Sequence, residues 1–172
     1  DIRRMLLDSQ NQNLSPLAEL LLYAADRAQH VKEVIKPVLE QGQWVVCDRY
    51  FDATLAYQGY AREQEIGLIK TLNQKASLGI CPDITFLIDC PVRVGIKRAL
   101  RRNEALREEG QDRFEREREE FHDAVRKGYL TVAGENPKRF VVVDGTFKEE
   151  ELARVIFDHI KPFLPPEDSA GG

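Results

Sequence analysis

Three short apolar runs each end in an aspartate: Trp44-Val45-Val46-Cys47 before Asp48, Ile84-Thr85-Phe86-Leu87-Ile88 before Asp89, and Phe140-Val141-Val142-Val143 before Asp144. Runs without polar alternation suit strands buried on both faces. Stretches of helical period separate them, predicted over 62–78, 92–106, 113–133 and 148–163. Strands and helices that alternate in this way predict an α/β fold with a parallel sheet, whose ligands bind beyond the carboxyl ends of the strands. The three aspartates would then share the functional end of the sheet.

A long helix precedes the first run. Ser15 is placed as its N-cap and Pro16 at its first position, where the missing N–H would be unpaired in any case. Leu17, Leu20, Leu21, Ala24, Ala28, Val31 and Ile35 recur at helical spacing, and Gly42 closes the run. Pro37 is expected to kink or end the helix early. A helix is also expected over 2–7, one domain over 1–164, and an unstructured tail over 165–172.

With 42% apolar residues in 172, the chain is long enough for one buried core. A net charge of −4 and an isoelectric point near 5.5 leave no overall footprint for a nucleic-acid polymer or an acidic membrane. No apolar run approaches the ~20 residues that span a bilayer. Cys47, Cys81 and Cys90 lack the paired spacing of a zinc or redox motif, which fits a reducing, cytoplasmic setting. His30, His122 and His159 are scattered and read as surface or packing residues.

Asp48-Arg49 sits at a predicted strand end, where a carboxylate can hold a metal through water and a guanidinium can grip a phosphate with two parallel hydrogen bonds. An ordinary surface ion pair would look the same. The longer segment Asp48-Arg49-Tyr50-Phe51-Asp52-Ala53-Thr54-Leu55-Ala56-Tyr57-Gln58-Gly59 is more specific, and it resembles the signature of the thymidylate kinases. The resemblance covers nearly the whole chain, although Ala53 stands where the family often has Ser. It implies a fold of the P-loop nucleoside-monophosphate-kinase type, a parallel sheet flanked by helices. The implied reaction moves the γ-phosphoryl group of Mg-ATP to dTMP, giving dTDP and ADP, in a cytoplasmic homodimer.

Site residues follow from the same resemblance. Tyr23 and Arg27 lie four apart on one helix face; they would stack on the thymine and hydrogen-bond its edge, while a packed Tyr beside a solvated Arg is the plainer alternative. Arg49 would hold the dTMP phosphate, Thr54 would contact the nucleotide, and Tyr57 and Gln58 would line the sugar and base pocket. Asp48 would help to organise the Mg2+ shell. Arg93, Lys97 and Arg101 form a helical stripe beside Arg98 and Arg102, and Asp112-Arg113-Phe114-Glu115 resembles the end of the family's lid. Arg98, Arg101, Arg102 and Arg107 are therefore lid candidates that would stabilise charge in transfer, over a lid (103–111) longer and more acidic than the compact pattern. Phe114 would approach the deoxyribose, or pair with Phe121 in the core. Thr146 and Phe147 fall where related kinases contact adenine, and a helix-capping Thr is the alternative there.

Kinases of this class also carry a Gly-rich loop followed by Lys and Ser or Thr, to hold the ATP phosphates. These 172 residues contain no such segment. The family places it on a first strand, and about 45 residues upstream would hold that strand, loop, helix and second strand. In the related sheet order 2-3-1-4-5, the strands ending at Asp48 and Asp89 would flank an empty slot. Unpaired backbone groups there would cost on the order of 1–3 kcal/mol each, so the isolated polypeptide is expected to be unstable and inactive. Two rivals stand beside the kinase reading. A deoxynucleoside kinase would need a carboxylate base at a strand end, and a non-catalytic binding module would keep only the monophosphate pocket.

Overall fold

The computed structural model describes residues 2–7, 11, 13–106, 114 and 117–164. Two of the predicted strands form, β1 (Thr85–Asp89) and β2 (Phe140–Asp144). They pair in parallel from Thr85 opposite Phe140 to Asp89 opposite Asp144, so two of the three aspartates end side by side. Helices α1 (Ile2–Leu7), α2 (Pro16–His30), α3 (Lys36–Glu40), α4 (Phe51–Thr54), α5 (Ile66–Ala76), α6 (Val92–Leu106), α7 (Glu119–Glu135) and α8 (Glu149–Ile160) complete an α/β arrangement. The third predicted strand, Trp44-Val45-Val46-Cys47, is not formed. Among the described residues it has no neighbouring strand to take up its N–H and C=O groups, and Val46 is 95% exposed. An apolar run becomes a strand only through such a ladder. None of the described helices is long and apolar enough to cross a membrane.

Local chemistry explains the helix ends. Ser15 Oγ accepts a hydrogen bond from the Ala18 N–H at 3.2 Å, and Pro16 occupies the first turn. Pro37 does not end the helix. Its ring would clash with the preceding turn, and the strain is absorbed by a π-helical segment, Val31–Ile35, after which α3 continues. Widened turns of this kind relieve the backbone where an ordinary hydrogen bond is lost. Gly42, at φ 71°, then closes the helix: its N–H meets Leu39 O at 2.9 Å and the Gln43 N–H meets Val38 O at 3.2 Å, the paired bonds of a Schellman cap.

The core lies where α2, α5, α7 and β2 meet, around Leu20, Leu55, Ile69, Val132, Ala133 and Phe140. A second π-helix, Leu55–Ala61, runs through it, carrying most of the second half of the Asp48-to-Gly59 segment. Predicted helix 62–78 therefore starts later, at Ile66. Predicted helix 113–133 starts at Glu119; of the expected lid 103–111, residues 103–106 fall in α6, and 107–111 lie outside the described residues, as does the tail 165–172. Two glycines set the approach distances. A Cβ on Gly59 would lie 2.6 Å from Ile66 Cδ1, and one on Gly128 would lie 2.8 to 3.0 Å from Tyr60, so the π-helix can pack against α5 at Gly59, and α7 can seat on it at Gly128, only without side chains there.

Arg139 joins the sheet to the start of α4. Its guanidinium holds both Asp52 carboxylate oxygens at 2.8 Å and Thr85 Oγ1 at 2.8 Å. It also lies over the rings of Phe51 and Phe140, 5.5 and 4.6 Å from their centroids. Asp52 is buried, and a buried carboxylate persists only when paired in this way.

Candidate active site

Arg49 is one of three non-glycine residues with a left-handed backbone among the described residues, the others being Glu63 and Leu78. Arg49 has φ 61°, a left-handed conformation that costs a non-glycine residue about 1–2 kcal/mol, and such strain clusters at functional sites. Its guanidinium lies 5.3 Å from the centre of the Tyr57 ring. Tyr57 is edged by Phe114 at 5.4 Å, Phe121 at 6.1 Å and Tyr129 at 6.2 Å. Partial burial works against the charge of Arg49, but Tyr57, Tyr129, Asp48 and Tyr23 offset it, and the pKa lies above its ordinary value. Burial pushes the Tyr129 phenol upward in turn, with Arg49 opposing. The result is a fixed cation in an aromatic wall, with Asp48 beside it.

Arg27 forms the second half of the site. Its guanidinium donates to Asn73 Oδ1 at 2.8 Å and to Thr54 Oγ1, and it lies 5.8 Å from the centre of the Tyr50 ring. Burial lowers its pKa, with Tyr50 and Cys47 opposing; a guanidinium remains charged in proteins nonetheless. α2 supplies Arg27, α4 supplies Thr54 and α5 supplies Asn73. Tyr50 and Phe51, ring centres 4.9 Å apart, join this pair to Arg49 along the chain.

Gln58 turns the other way. Only 1% exposed, it donates from Nε2 to Glu19 Oε1 at 2.8 Å. Glu19 is equally buried and also faces Arg62 Nε at 3.7 Å, while Arg62 Nη2 reaches Glu117 Oε1 at 2.5 Å and the guanidinium covers the Phe121 ring. This polar chain runs beneath the aromatic wall, and neither Glu19 nor Arg62 was among the residues expected from sequence.

The carboxyl end of the sheet carries a separate constellation. Asp89 receives Arg126 Nε at 2.6 Å and Nη2 at 2.8 Å, which hold its carboxyl below the usual range, against some burial. Asp144 Oδ1 accepts from the Thr146 N–H at 2.8 Å and hydroxyl at 2.7 Å, and these bonds likewise lower its pKa. Gly145 is clasped from both sides: its N–H donates to Asp89 O at 2.6 Å, and its carbonyl accepts from Arg98 Nη1 at 2.5 Å. Arg98 is thus engaged with the 144–147 loop, where Phe147 is 38% exposed. Arg101 is exposed and lines a shallow groove between α6 and α7 with Arg93, Lys97 and Glu119. Arg102 falls within α6. Arg107, Asp112, Arg113 and Glu115 lie outside the described residues. Among the described residues no cluster of three or more His, Cys, Asp or Glu could hold a metal ion.

A cation fixed over a tyrosine, a second arginine bonded to a threonine, and a carboxylate beside the first cation make a wall suited to an aromatic, phosphorylated ligand. The family model described as Thymidylate kinase matches residues 1–156. The chain belongs to the thymidylate kinase family. The thymidylate kinase of Citrifermentans bemidjiense is 49% identical over 170 residues, which cover 99% of this chain and 76% of that relative. That of Geobacter sulfurreducens is 49% identical over 165 residues, 96% of this chain and 78% of the relative, and that of Pelobacter propionicus is 52% identical over 155 residues, 90% and 71%. A thymidylate kinase is a phosphotransferase, and the resemblance drawn from the Asp48-to-Gly59 segment holds across the chain.

Among the residues that sequence reasoning missed, Asn73 bears most directly on the candidate site. Its signal was a lone polar residue in the buried stripe Ile69, Asn73, Ala76 of α5. Buried amides are retained where both ends are bonded, and Asn73 also donates to Phe51 O at 3.1 Å.

Proposed function

We propose that this protein transfers the γ-phosphoryl group of ATP to dTMP, giving dTDP and ADP. The observation that carries the reading is Arg49: a strained, charged residue held against Tyr57 beside Asp48, within a chain of the thymidylate kinase family. Arg49 would grip the dTMP phosphate through two parallel N–H bonds. Tyr23 would stack on the thymine, Arg27 would donate to its edge, and Thr54 would share that contact. Tyr57 would border the sugar and base, with Gln58 supporting the wall from below. Phe114 would stand against the deoxyribose.

The attacking group is a phosphate oxygen of dTMP itself, so no protein nucleophile is needed and the protein acts by positioning and charge stabilisation. Arg98, Arg101, Arg102 and Arg107 are proposed to serve the donor side, with Asp112, Arg113 and Glu115 closing the lid and Thr146 and Phe147 flanking the adenine. A single exposed carboxylate is a donor set suited to magnesium, which keeps most of its waters and binds chiefly through substrate phosphates. Asp48 would be its protein anchor. Magnesium would neutralise phosphate charge when bound.

We further propose that the 172 residues build the acceptor half of a P-loop kinase fold, whose ATP phosphates require a Gly-rich Lys-Ser/Thr loop, and that without that loop they do not turn over. A cytoplasmic homodimer is part of the same proposal. Comparing dTMP with thymidine as acceptor in an ADP-release assay of the full-length enzyme tests the reaction. Turnover with dTMP alone is expected; equal or faster turnover with thymidine would move the assignment to a nucleoside kinase.

A further inference from the structure

Asn73 stands between two parts of the acceptor wall. Its Oδ1 accepts from Arg27 Nη1 at 2.8 Å, and its Nδ2 donates to the Phe51 carbonyl at 3.1 Å. The chemistry of the partners fixes which way the amide faces, because a guanidinium only donates and a carbonyl only accepts. Asn73 is 5% exposed and sits on α5, a helix that contributes no other residue to the proposed contacts. Thr54 Oγ1 takes a second N–H of Arg27. Two of the five guanidinium N–H groups are thus committed to protein oxygens, which fixes the plane of the fork and leaves the remaining donors aimed away from Asn73 and Thr54.

We infer that Asn73 is a positioning residue for pyrimidine selection, holding Arg27 so that its remaining N–H groups present donors to the base edge. The inference rests on the reading that Arg27 faces the base. A pinned donor favours a keto oxygen at the pyrimidine 4-position and disfavours an amino group there, so loosening the pin weakens dTMP binding and narrows the preference over dCMP. Few residues can replace Asn73 in both of its bonds. Leucine, of similar size, makes neither; aspartate keeps the acceptor for Arg27 and sets a carboxylate against the Phe51 carbonyl.

The difference between those two replacements provides the test, run as steady-state kinetics of the full-length enzyme with dTMP and dCMP. Asn73→Leu is expected to raise KM for dTMP about tenfold, the worth of one hydrogen bond to a charged group. Its kcat should hold within about twofold, as for an interaction made equally in ground and transition states. The dTMP-to-dCMP preference should fall by a similar factor. Asn73→Asp should restore KM toward wild type even where its melting temperature drops. Equal KM increases in both variants, tracking the melting temperature, would make Asn73 a purely structural residue and overturn the inference. If Asn73→Leu gives no folded protein, Asn73→Ala in a cycle with Arg27→Ala carries the same question: effects on KM that do not add support the coupling, and additive ones overturn it. If Arg27→Ala itself leaves KM for dTMP unchanged, the base-edge reading falls; if Arg27→Ala raises KM and Asn73→Leu does not, only the present inference falls.

Discussion

Replacing Arg139 by Met should be among the most damaging single changes to this fold, and the reason lies in Asp52. The Asp52 side chain is 6% exposed and the Arg139 side chain 14%, so removal of the guanidinium strands a buried carboxylate that had two bonds of 2.8 Å. Breaking a buried pair from one side costs about 3–5 kcal/mol. The guanidinium also packs between Phe51 and Phe140; Met refills part of that space, which keeps the expected loss near ~3 kcal/mol. Urea unfolding at neutral pH reads it as a lower midpoint with an unchanged slope. Asp52→Leu together with Arg139→Met should recover much of the loss, since an apolar pair leaves no stranded charge. A loss below about 1 kcal/mol for Arg139→Met, in the range of surface pairs, would show that Asp52 reaches water and that the latch does not carry the α4 start.

Gly128→Ala should lower stability by about 1–3 kcal/mol through overpacking, because the new Cβ meets Tyr60 Cβ at 2.8 Å and its ring at 2.9 and 3.0 Å; a thermal melt reads it, and trimming Tyr60 to Ala in the same protein should relieve only the ring's part of the clash, since the Cβ at position 60 stays. The Arg126 bonds hold the Asp89 carboxyl below its ordinary 3.8, so its stabilisation is complete above that value and lost as the pH falls through the lower, folded one. Arg126→Met should therefore lower stability at neutral pH and flatten the acid limb, so that the difference from wild type closes as the pH falls below about 4, as urea titrations at several pH values would reveal. Arg98→Met removes the donor to Gly145 O and should raise KM for ATP by roughly tenfold while leaving KM for dTMP unchanged; a selective effect on dTMP instead would disconnect the 144–147 loop from the donor side.

Elements whose signals are local were legible in the sequence. Ser15-Pro16 opens α2 and Gly42 closes α3 because capping needs only neighbouring residues, and α6 runs over the predicted 92–106. β1 and β2 were legible because each run found the other as its neighbour. Trp44 to Cys47 carries the same apolar signal and forms no strand, since pairing is non-local. The π-helices at Val31–Ile35 and Leu55–Ala61 escape a reading tuned to an ordinary helical period. In the candidate site, Arg27 meets Thr54, and Arg49 meets Tyr57 and Phe114 through it; the family resemblance named these residues for contacts with the nucleotide, and not their contacts with one another. Asn73 and Arg139 could not be found in that way: each acts on a residue far away in the chain, and no local pattern announces a partner 46 or 87 positions distant.

The central claim is that Arg49 receives the phosphate of dTMP. Calorimetric titration of the full-length enzyme and its Arg49→Ala variant with dTMP and with thymidine tests it most directly. The wild-type protein should bind dTMP about a hundredfold or more tightly than thymidine, the worth of charge-assisted bonds to the phosphate, and Arg49→Ala should erase most of that difference while leaving thymidine affinity and the melting temperature unchanged. An Arg49→Ala protein that still prefers dTMP by the wild-type factor would contradict the account.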